Sequence, residues 1–235
     1  MSKPVLAYLT GWGVRGDLLG QWLECFSDRF DLCPVNVPDL EAQRLLTPDE
    51  RSELLAQQVS APAIWVGWSL GGEFLIDLAT HQPDAVKGMV LLASSPLFVE
   101  QADWPGMSEE TFNQFVESYQ QNSAKTLQRF ASLQVAGSQD PRALLRIVKD
   151  SLEKPTELLG QLLAELVRDR RSEFAALKKP HLMLFAAGDA LVPSQVSKLC
   201  SGILIAESSH LLFVDQPDVC QAAVEAWLLS EGVVS

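Results

Sequence analysis

The pentapeptide Gly67-Trp68-Ser69-Leu70-Gly71 restricts the fold more than any other stretch of this chain. An apolar run, Ala61 to Val66, precedes it, and Phe74, Leu75, Leu78 and Ala79 follow at helical spacing. A strand that turns sharply into a helix is the setting in which a serine flanked by small residues projects its hydroxyl above a sheet. Gly67 and Gly71 supply the small flanks. Gly71 and Gly72 open the helix, whose free N–H groups and positive end then face the serine. The five-residue pattern alone recurs by chance; the strand-to-helix context gives it weight.

Strands and helices alternate around this turn. Val5 to Leu9 predicts a buried strand, and Leu18, Leu19, Trp22, Leu23 and Phe26 a helix. Leu32 to Val37 predicts a short strand interrupted by Pro34, and Pro48 opens a helix carrying Leu54, Leu55 and Val59. Val86 to Ala93 is a further apolar strand. Such alternation implies an α/β fold with a mainly parallel sheet covered on both faces. The rhythm changes at Ser94, and until about Lys178 only helical spacing is present. Phe112, Phe115, Val116 and Tyr119 mark one helix, and Leu127, Phe130 and Ala131 a second. Asp140-Pro141 is an N-cap and first-turn proline ahead of Leu144, Leu145, Val148 and Leu152. Pro155 opens a helix with Leu158, Leu159, Leu162, Leu163 and Leu166. Strands resume at His181–Ala186 and Ile203–Ala206, and a helix over Pro217–Leu229 closes the chain. The expected organisation is a core of residues 1–94 and 179–235 with a helical lid, 95–178, inserted over the C-terminal edge of the sheet.

With 235 residues, 47% of them hydrophobic, the chain is long enough for one well-filled domain. A net charge of −12 argues against nucleic acid or an anionic membrane as partner. No run reaches the roughly 18 apolar residues of a membrane span. The start, Met1 to Gly16, lacks a leader cleavage site and is read as the first strand. Cys25, Cys33, Cys200 and Cys220 show no paired spacing and are read as reduced thiols of a cytoplasmic protein. A monomer without metal or cofactor is expected.

A serine hydroxyl becomes nucleophilic when a base accepts its proton. The chain has three histidines. His81 ends the helix behind Ser69 and His181 begins a strand, so both fall at the far edge of the sheet. His210 lies in the loop after the last strand, on the serine's edge, and is the expected base. Asp189, directly after the preceding strand, is the expected carboxylate partner, and the order Ser69, Asp189, His210 is that of an α/β-hydrolase. An ordinary turn aspartate remains the alternative at Asp189. Asp103 is read as lid surface, and Asp215 and Asp218 as caps of the last helix. The tetrahedral oxyanion needs two backbone donors. Leu70 N–H and Trp12 N–H, the latter in the loop Thr10-Gly11-Trp12-Gly13, are the candidates.

The segment Ala63-Ile64-Trp65-Val66-Gly67-Trp68-Ser69-Leu70-Gly71-Gly72 resembles the pimeloyl-[acyl-carrier protein] methyl ester carboxylesterases of bacterial biotin synthesis. So do Gly11-Trp12-Gly13, Ala93-Ser94-Ser95-Pro96, Asp103-Trp104-Pro105-Gly106 and Arg129-Phe130-Ala131-Ser132-Leu133-Gln134. The resemblance runs from about Leu9 to the C-terminus. The chain departs from the family pattern in three places. The family's extra N-terminal strand or strands are missing, Thr10 replaces a histidine, and Val37-Pro38-Asp39-Leu40-Glu41 replaces a longer glycine-rich loop. The resemblance implies a serine esterase that forms a pimeloyl-enzyme on Ser69, releases methanol, and needs no cofactor. It implies acyl-chain contacts at Trp12, Ser69, Leu70, Phe130, Ala131, Ser132, Leu133, Gln134 and His210. For Phe130 and Leu133, packing between lid helices is the competing account. Acyl carrier protein is acidic, and Lys125 and Arg129 with Arg142, Arg146 and Lys149 form a local basic patch able to receive it. A plain solvated helix face is the alternative there. Rival functions are a short-chain carboxylesterase, a thioesterase, a C–C bond hydrolase of the same fold, and a non-catalytic binding protein.

Overall fold

The structure is a computed structural model that describes residues 3–38 and 45–232. Asp39, Leu40 and Glu41 of the shortened loop lie outside the described residues.

Among the described residues six strands form a wholly parallel sheet in the order β2-β1-β3-β4-β5-β6. They are β1 (Val5–Leu9), β2 (Asp31–Pro34), β3 (Ala63–Trp68), β4 (Val86–Leu92), β5 (His181–Ala186) and β6 (Ile203–Ile205). Alternate residues of each strand enter two cores. Ala7, Leu9, Trp65, Met89, Leu91 and Phe185 face one side; Leu6, Tyr8, Ile64, Val66, Val90 and Leu184 face the other. The first core is covered by α2 (Pro48–Gln57), α3 (Leu70–His81) and the short α9 (Val196–Leu199). The second is covered by α1 (Asp17–Leu23), α10 (Leu212–Asp215) and α11 (Pro217–Ser230). Burial on both faces explains why the central strands read as unbroken apolar runs.

Between β4 and β5 stand α4 (Glu109–Gln121), α5 (Ser123–Gln134), α6 (Pro141–Asp150), α7 (Glu157–Leu162) and α8 (Arg171–Ala175). The expected cap of α6 is present: Asp140 accepts from Ala143 N–H at 3.0 Å. Several boundaries differ from the sequence reading, and two of them have a clear local cause. β2 ends at Pro34 instead of reaching Val37; as an edge strand it tolerates the proline, whose nitrogen faces away from β1, and Val35 N–H still donates to Tyr8 O at 3.0 Å. α7 starts at Glu157, not at Pro155, because Thr156 caps it by accepting from Leu159 N–H at 3.1 Å.

The inserted helices are tied to the core at several places. Trp12 Nε1 donates to Leu159 O at 2.7 Å, and Glu153 N–H donates to Gly13 O at 2.9 Å. At the other end lies a buried cluster of ions. Arg170, with no exposed side-chain surface, holds Glu73 at 2.6 Å and Asp77 at 3.1 Å, both on α3, and also grips Glu165. Arg51 of α2 joins it, 3.0 Å from Glu165 and 3.4 Å from Asp77. Burial pushes the Glu73 carboxyl well above its usual range against the pull of Arg170. For Glu165 burial acts in the same upward sense, but Arg51 and Arg170 outweigh it and hold the carboxyl low.

Among the described residues no helix is long and apolar enough to cross a membrane, and no cluster of His, Cys, Asp and Glu is placed to hold a metal ion.

Candidate active site

β1 lies between β2 and β3, so the chain reverses its direction of travel across the sheet at the C-terminal ends of β1 and β3. Ligand crevices form at such a switch point. Both Ser69 and the loop Gly11–Gly13 sit there. Ser69 joins β3 to α3 with φ 55° and ψ −124°, a conformation that costs a non-glycine residue roughly 1–3 kcal/mol. Its own N–H donates to Leu92 O at 2.8 Å, and its carbonyl accepts from Gly72 N–H at 2.9 Å, which hold the strained turn in place.

Leu70 is the first residue of α3, and such an N–H has no carbonyl within its own helix to receive it. The loop carrying Trp12 comes equally close: a Cβ on Gly11 would stand 3.0 Å from Ser69 Cβ. The two candidate oxyanion donors therefore flank the serine. The start of α3 is pressed against the end of β1, where a Cβ on Gly71 would meet Leu9 O at 2.6 Å and Thr10 O at 2.7 Å. Gly71→Ala is expected to destabilise the fold by about 1–3 kcal/mol and to lower ester turnover by displacing this loop. Urea unfolding and steady-state rates on the purified variant measure both; a variant equal to the parent in both would contradict the close contact.

Asp189 follows β5, and its Oδ1 accepts from Leu191 N–H at 2.8 Å and Val192 N–H at 3.2 Å. Its Oδ2 lies 2.8 Å from His210 Nδ1, and both side chains are fully buried. A carboxylate at Nδ1 fixes the tautomer in which Nδ1 donates and Nε2 carries the free lone pair. Trp68, the residue before the nucleophile, donates from Nε1 to His210 O at 2.9 Å, which ties the histidine's backbone to the elbow. His210 Nε2 has no hydrogen-bond partner among the described residues, so the bond to Ser69 Oγ is not made here. Contacts of this kind tighten when substrate arrives. His81 ends α3 and lies 3.7 Å from Asp49; His181 opens β5 and contacts Lys179 O. Neither approaches Ser69.

Asp103 is exposed and paired with Arg171, as expected of lid surface. The helix-cap assignment of Asp215 is wrong. α11 begins after Gln216 without a side-chain cap, Asp218 sits within its first turn, and Asp215 ends α10 with its carboxylate turned to Ser209 and Ser138. A carboxylate offered three nearby donors binds them in preference to a helix end behind it.

An apolar pocket ends on Ser69, with Trp12, Phe130 and Leu133 in its wall. Trp12 anchors it through edge-on contacts with Phe115, Tyr119 and Phe130 at 5.5, 5.3 and 5.1 Å between ring centres. The stretch Phe130–Gln134 contributes only in part, because it is one turn and a half of α5 and shows a single face to the pocket. Ala131 instead packs with Val135, Leu144 and Val148 in the second core, Ser132 is exposed with its hydroxyl on Gln128 O, and Gln134 is buried outside the pocket wall. Leu70 borders a separate cavity behind Trp12. The sequence reading missed the walls Phe98, Met107, Phe112 and Leu191. Phe112 was visible as part of an apolar helix stripe; the others lie in loops that carry no periodic signal.

Lys125 and Arg129 on α5 and Arg142, Arg146 and Lys149 on α6 are all exposed, and none forms an ion pair among the described residues. Leu133 and Ile147, 41% and 43% exposed, lie on the same two helices.

The serine aminopeptidase S33 family of hydrolases matches residues 51–213. The chain is 34% identical to the pimeloyl-[acyl-carrier protein] methyl ester esterase of Nitrosomonas europaea over 202 residues, covering 82% of this chain and 80% of that protein. It is 33% identical to the enzyme of the same name from Vibrio vulnificus, over 92% of this chain and 90% of the relative. Among solved structures, an esterase from Exiguobacterium antarcticum superposes with a TM-score of 0.79 at 16% identity, over 97% of this chain and 92% of the other. A bromoperoxidase from Bacillus anthracis gives 0.81 at 18%, over the same shares. At those identities the structures speak for the fold alone, which is the α/β-hydrolase fold. Taken with the elbow serine and the order of the acid and the histidine behind it, the sequence matches decide the assignment: the chain belongs to the pimeloyl-[acyl-carrier protein] methyl ester esterase family of α/β-hydrolases.

Proposed function

We propose that this protein hydrolyses the methyl ester of a pimeloyl chain carried on acyl carrier protein, through a covalent serine intermediate, in biotin synthesis. The observation that carries the reading is a strained serine at an apolar pocket, preceded by Trp68, which bonds the backbone of His210, together with a buried Asp189–His210 pair whose Nε2 has no partner among the described residues. His210 Nε2 takes the Ser69 proton as Oγ attacks the ester carbonyl. Leu70 N–H and Trp12 N–H hold the resulting oxyanion. Collapse expels methoxide, which leaves as methanol with the proton from His210. Water then gives its proton to His210 and attacks the acyl-enzyme, and Ser69 departs reprotonated, leaving a free carboxylate. Asp189 stays ionised throughout and steadies the imidazolium.

Among the described residues the pocket wall carries no charged side chain, so it suits a neutral methyl ester better than an acid. Each methylene buried along Trp12, Phe130 and Leu133 contributes about 0.8 kcal/mol. Residues 95–178 serve as the lid, and the chain emerges past the half-exposed Leu133 towards the exposed cations of α5 and α6. Those cations steer the acidic carrier despite the net charge of −12. Four free cysteines suit the reducing cytoplasm, where the enzyme works as a monomer.

Rescue of a biotin-requiring bacterium that lacks its own esterase tests the whole reading, and failure of a well-expressed chain to rescue would remove the substrate assignment. The double variant Arg142→Glu, Arg146→Glu is expected to raise KM for the carrier-bound ester and to leave hydrolysis of a small soluble ester unchanged. Equal effects on the two substrates would remove the patch from the account. A short-chain esterase is the second reading, favoured by the purely apolar wall; a rate panel of dimethyl pimelate against nitrophenyl esters separates the two.

A further inference from the structure

The group that fixes the histidine's own loop is Asp215, five residues beyond His210. Its Oδ2 accepts from both Ser209 N–H at 2.7 Å and Ser209 Oγ–H at 2.6 Å. Ser209 Oγ in turn accepts from Leu211 N–H at 3.3 Å, and Asp215 N–H donates to Leu211 O at 3.0 Å. The residues on either side of His210 are thus bonded to one carboxylate and its backbone. Ser208, Ser209 and His210 are fully buried.

The other oxygen of Asp215 leaves this loop. Oδ1 accepts from Ser138 Oγ–H at 2.5 Å, and Ser138 lies in the turn between α5 and α6. That turn makes two more contacts with the acid and histidine loops. Gly137, at φ +91°, lies so close that a Cβ would meet Gly188 O at 2.0 Å, directly before Asp189. Gln139 bonds to Glu207, three residues before His210. The same turn joins the helix bearing Phe130 and Leu133 to the helix bearing Arg142 and Arg146.

We infer that Asp215 is a positioning residue for His210, and that through Ser138 it links the placement of the imidazole to the seating of the α5–α6 turn. This rests on the reading of Ser69, His210 and Asp189 as the reacting groups. Without the carboxylate, the segment Ser209–Leu211 loses the two bonds that Ser209 makes to it, and the imidazole drifts from Asp189 and from Ser69. The acyl pocket and the base then no longer share one rigid frame.

The test uses the full chain and three variants, Asp215→Ala, Asp215→Asn and Ser138→Ala, with p-nitrophenyl acetate and dimethyl pimelate as substrates. Asp215→Ala is expected to lower kcat for p-nitrophenyl acetate by about 100-fold with little change in KM, the loss typical of a displaced catalytic group. Asp215→Asn keeps the size and one acceptor oxygen, so it should fall between; it also supplies the readout if the alanine variant does not fold. The downfield proton resonance of His210 Nδ1 should be present in the parent and lost in Asp215→Ala, a change that general destabilisation of a folded protein does not produce. Ser138→Ala leaves both Ser209 bonds intact and is expected to slow dimethyl pimelate more than p-nitrophenyl acetate. Folded Asp215 variants with parental kcat and an unchanged resonance would overturn the positioning role. Equal rates for Ser138→Ala and the parent on both esters would overturn the link to the lid turn. Labelling of Ser69 by a fluorophosphonate keeps the two levels apart: a parent protein that does not label removes the esterase reading itself, whereas a labelled parent with unaffected variants removes only this inference.

Discussion

Ser69→Ala is expected to lower ester turnover by about 10⁶-fold while leaving the protein folded, the loss seen when the nucleophile of such a triad is removed. The reasoning is local. Ser69 is the residue at which β3 turns into α3, with Leu70 directly after it and the Gly11 backbone of the Trp12 loop packed against its Cβ. Alanine keeps the backbone at φ 55° and loses only the oxygen, so the pocket, the oxyanion donors and the Asp189–His210 pair survive. What remains is the residual rate, about 10³–10⁴-fold over water, that binding and the oxyanion donors supply without a nucleophile. A fluorophosphonate should label the parent on Ser69 and leave the variant unlabelled, and thermal unfolding should show nearly equal midpoints. Turnover within tenfold of the parent would mean that water, not Ser69, attacks the ester, and the acyl-enzyme would have to be abandoned.

What could be read from the sequence follows the range of the interaction concerned. The elbow and the Asp140 cap are local, signalled by neighbours within a few positions, and Ser69, Asp189 and His210 could each be placed because each follows a strand recognisable from its own residues. The helices between β4 and β5 were legible for the same reason, since Phe112 to Tyr119 carry their own 3.6-residue stripe. The pocket walls at Phe98 and Leu191 were not, because a loop residue gains its role from what the fold sets opposite it. Asp215 shows the limit most plainly. Its position just ahead of a helix proline looks like a cap, and only the folded chain brings Ser209 and Ser138 within reach of its oxygens. Ala131 and Ser132 were assigned to the pocket with Phe130 as a block, though helix geometry turns them elsewhere. That error was avoidable from periodicity alone.

The ion cluster that joins Glu165 and Arg170 to α2 and α3 had no signature of this kind, since Arg51, Glu73, Asp77, Glu165 and Arg170 are scattered over 120 positions of chain. It carries the second large expected effect. Arg170→Met should destabilise the protein by about 3–5 kcal/mol at neutral pH, the cost of breaking a buried pair from one side. Methionine fills much of the arginine's volume, so the loss arises chiefly from charge. Arg170 bonds Glu73, Asp77 and Glu165 at once and donates to Glu165 O at 2.8 Å, and Arg51 reaches only Asp77 and Glu165. Among the described residues Glu73 Oε1 already lacks a hydrogen-bond partner, and Glu73 would lose the one cation paired with it. The pH dependence has a definite sign. Glu165 is held low in the folded parent, so its contribution to stability is present above the ordinary carboxylate range and is lost as pH falls through the folded value. Glu73, held high by burial, acts oppositely: it costs stability as pH rises from the ordinary range towards its folded value. Without Arg170 the Glu165 carboxyl rises from its low value and Glu73 rises further, so the gap between variant and parent should be widest near neutrality and narrow on acidification. Urea unfolding of both proteins from pH 7 down to pH 5 measures that gap. A gap that stayed constant or widened towards pH 5 would show that Arg170 acts through packing and not through its charge.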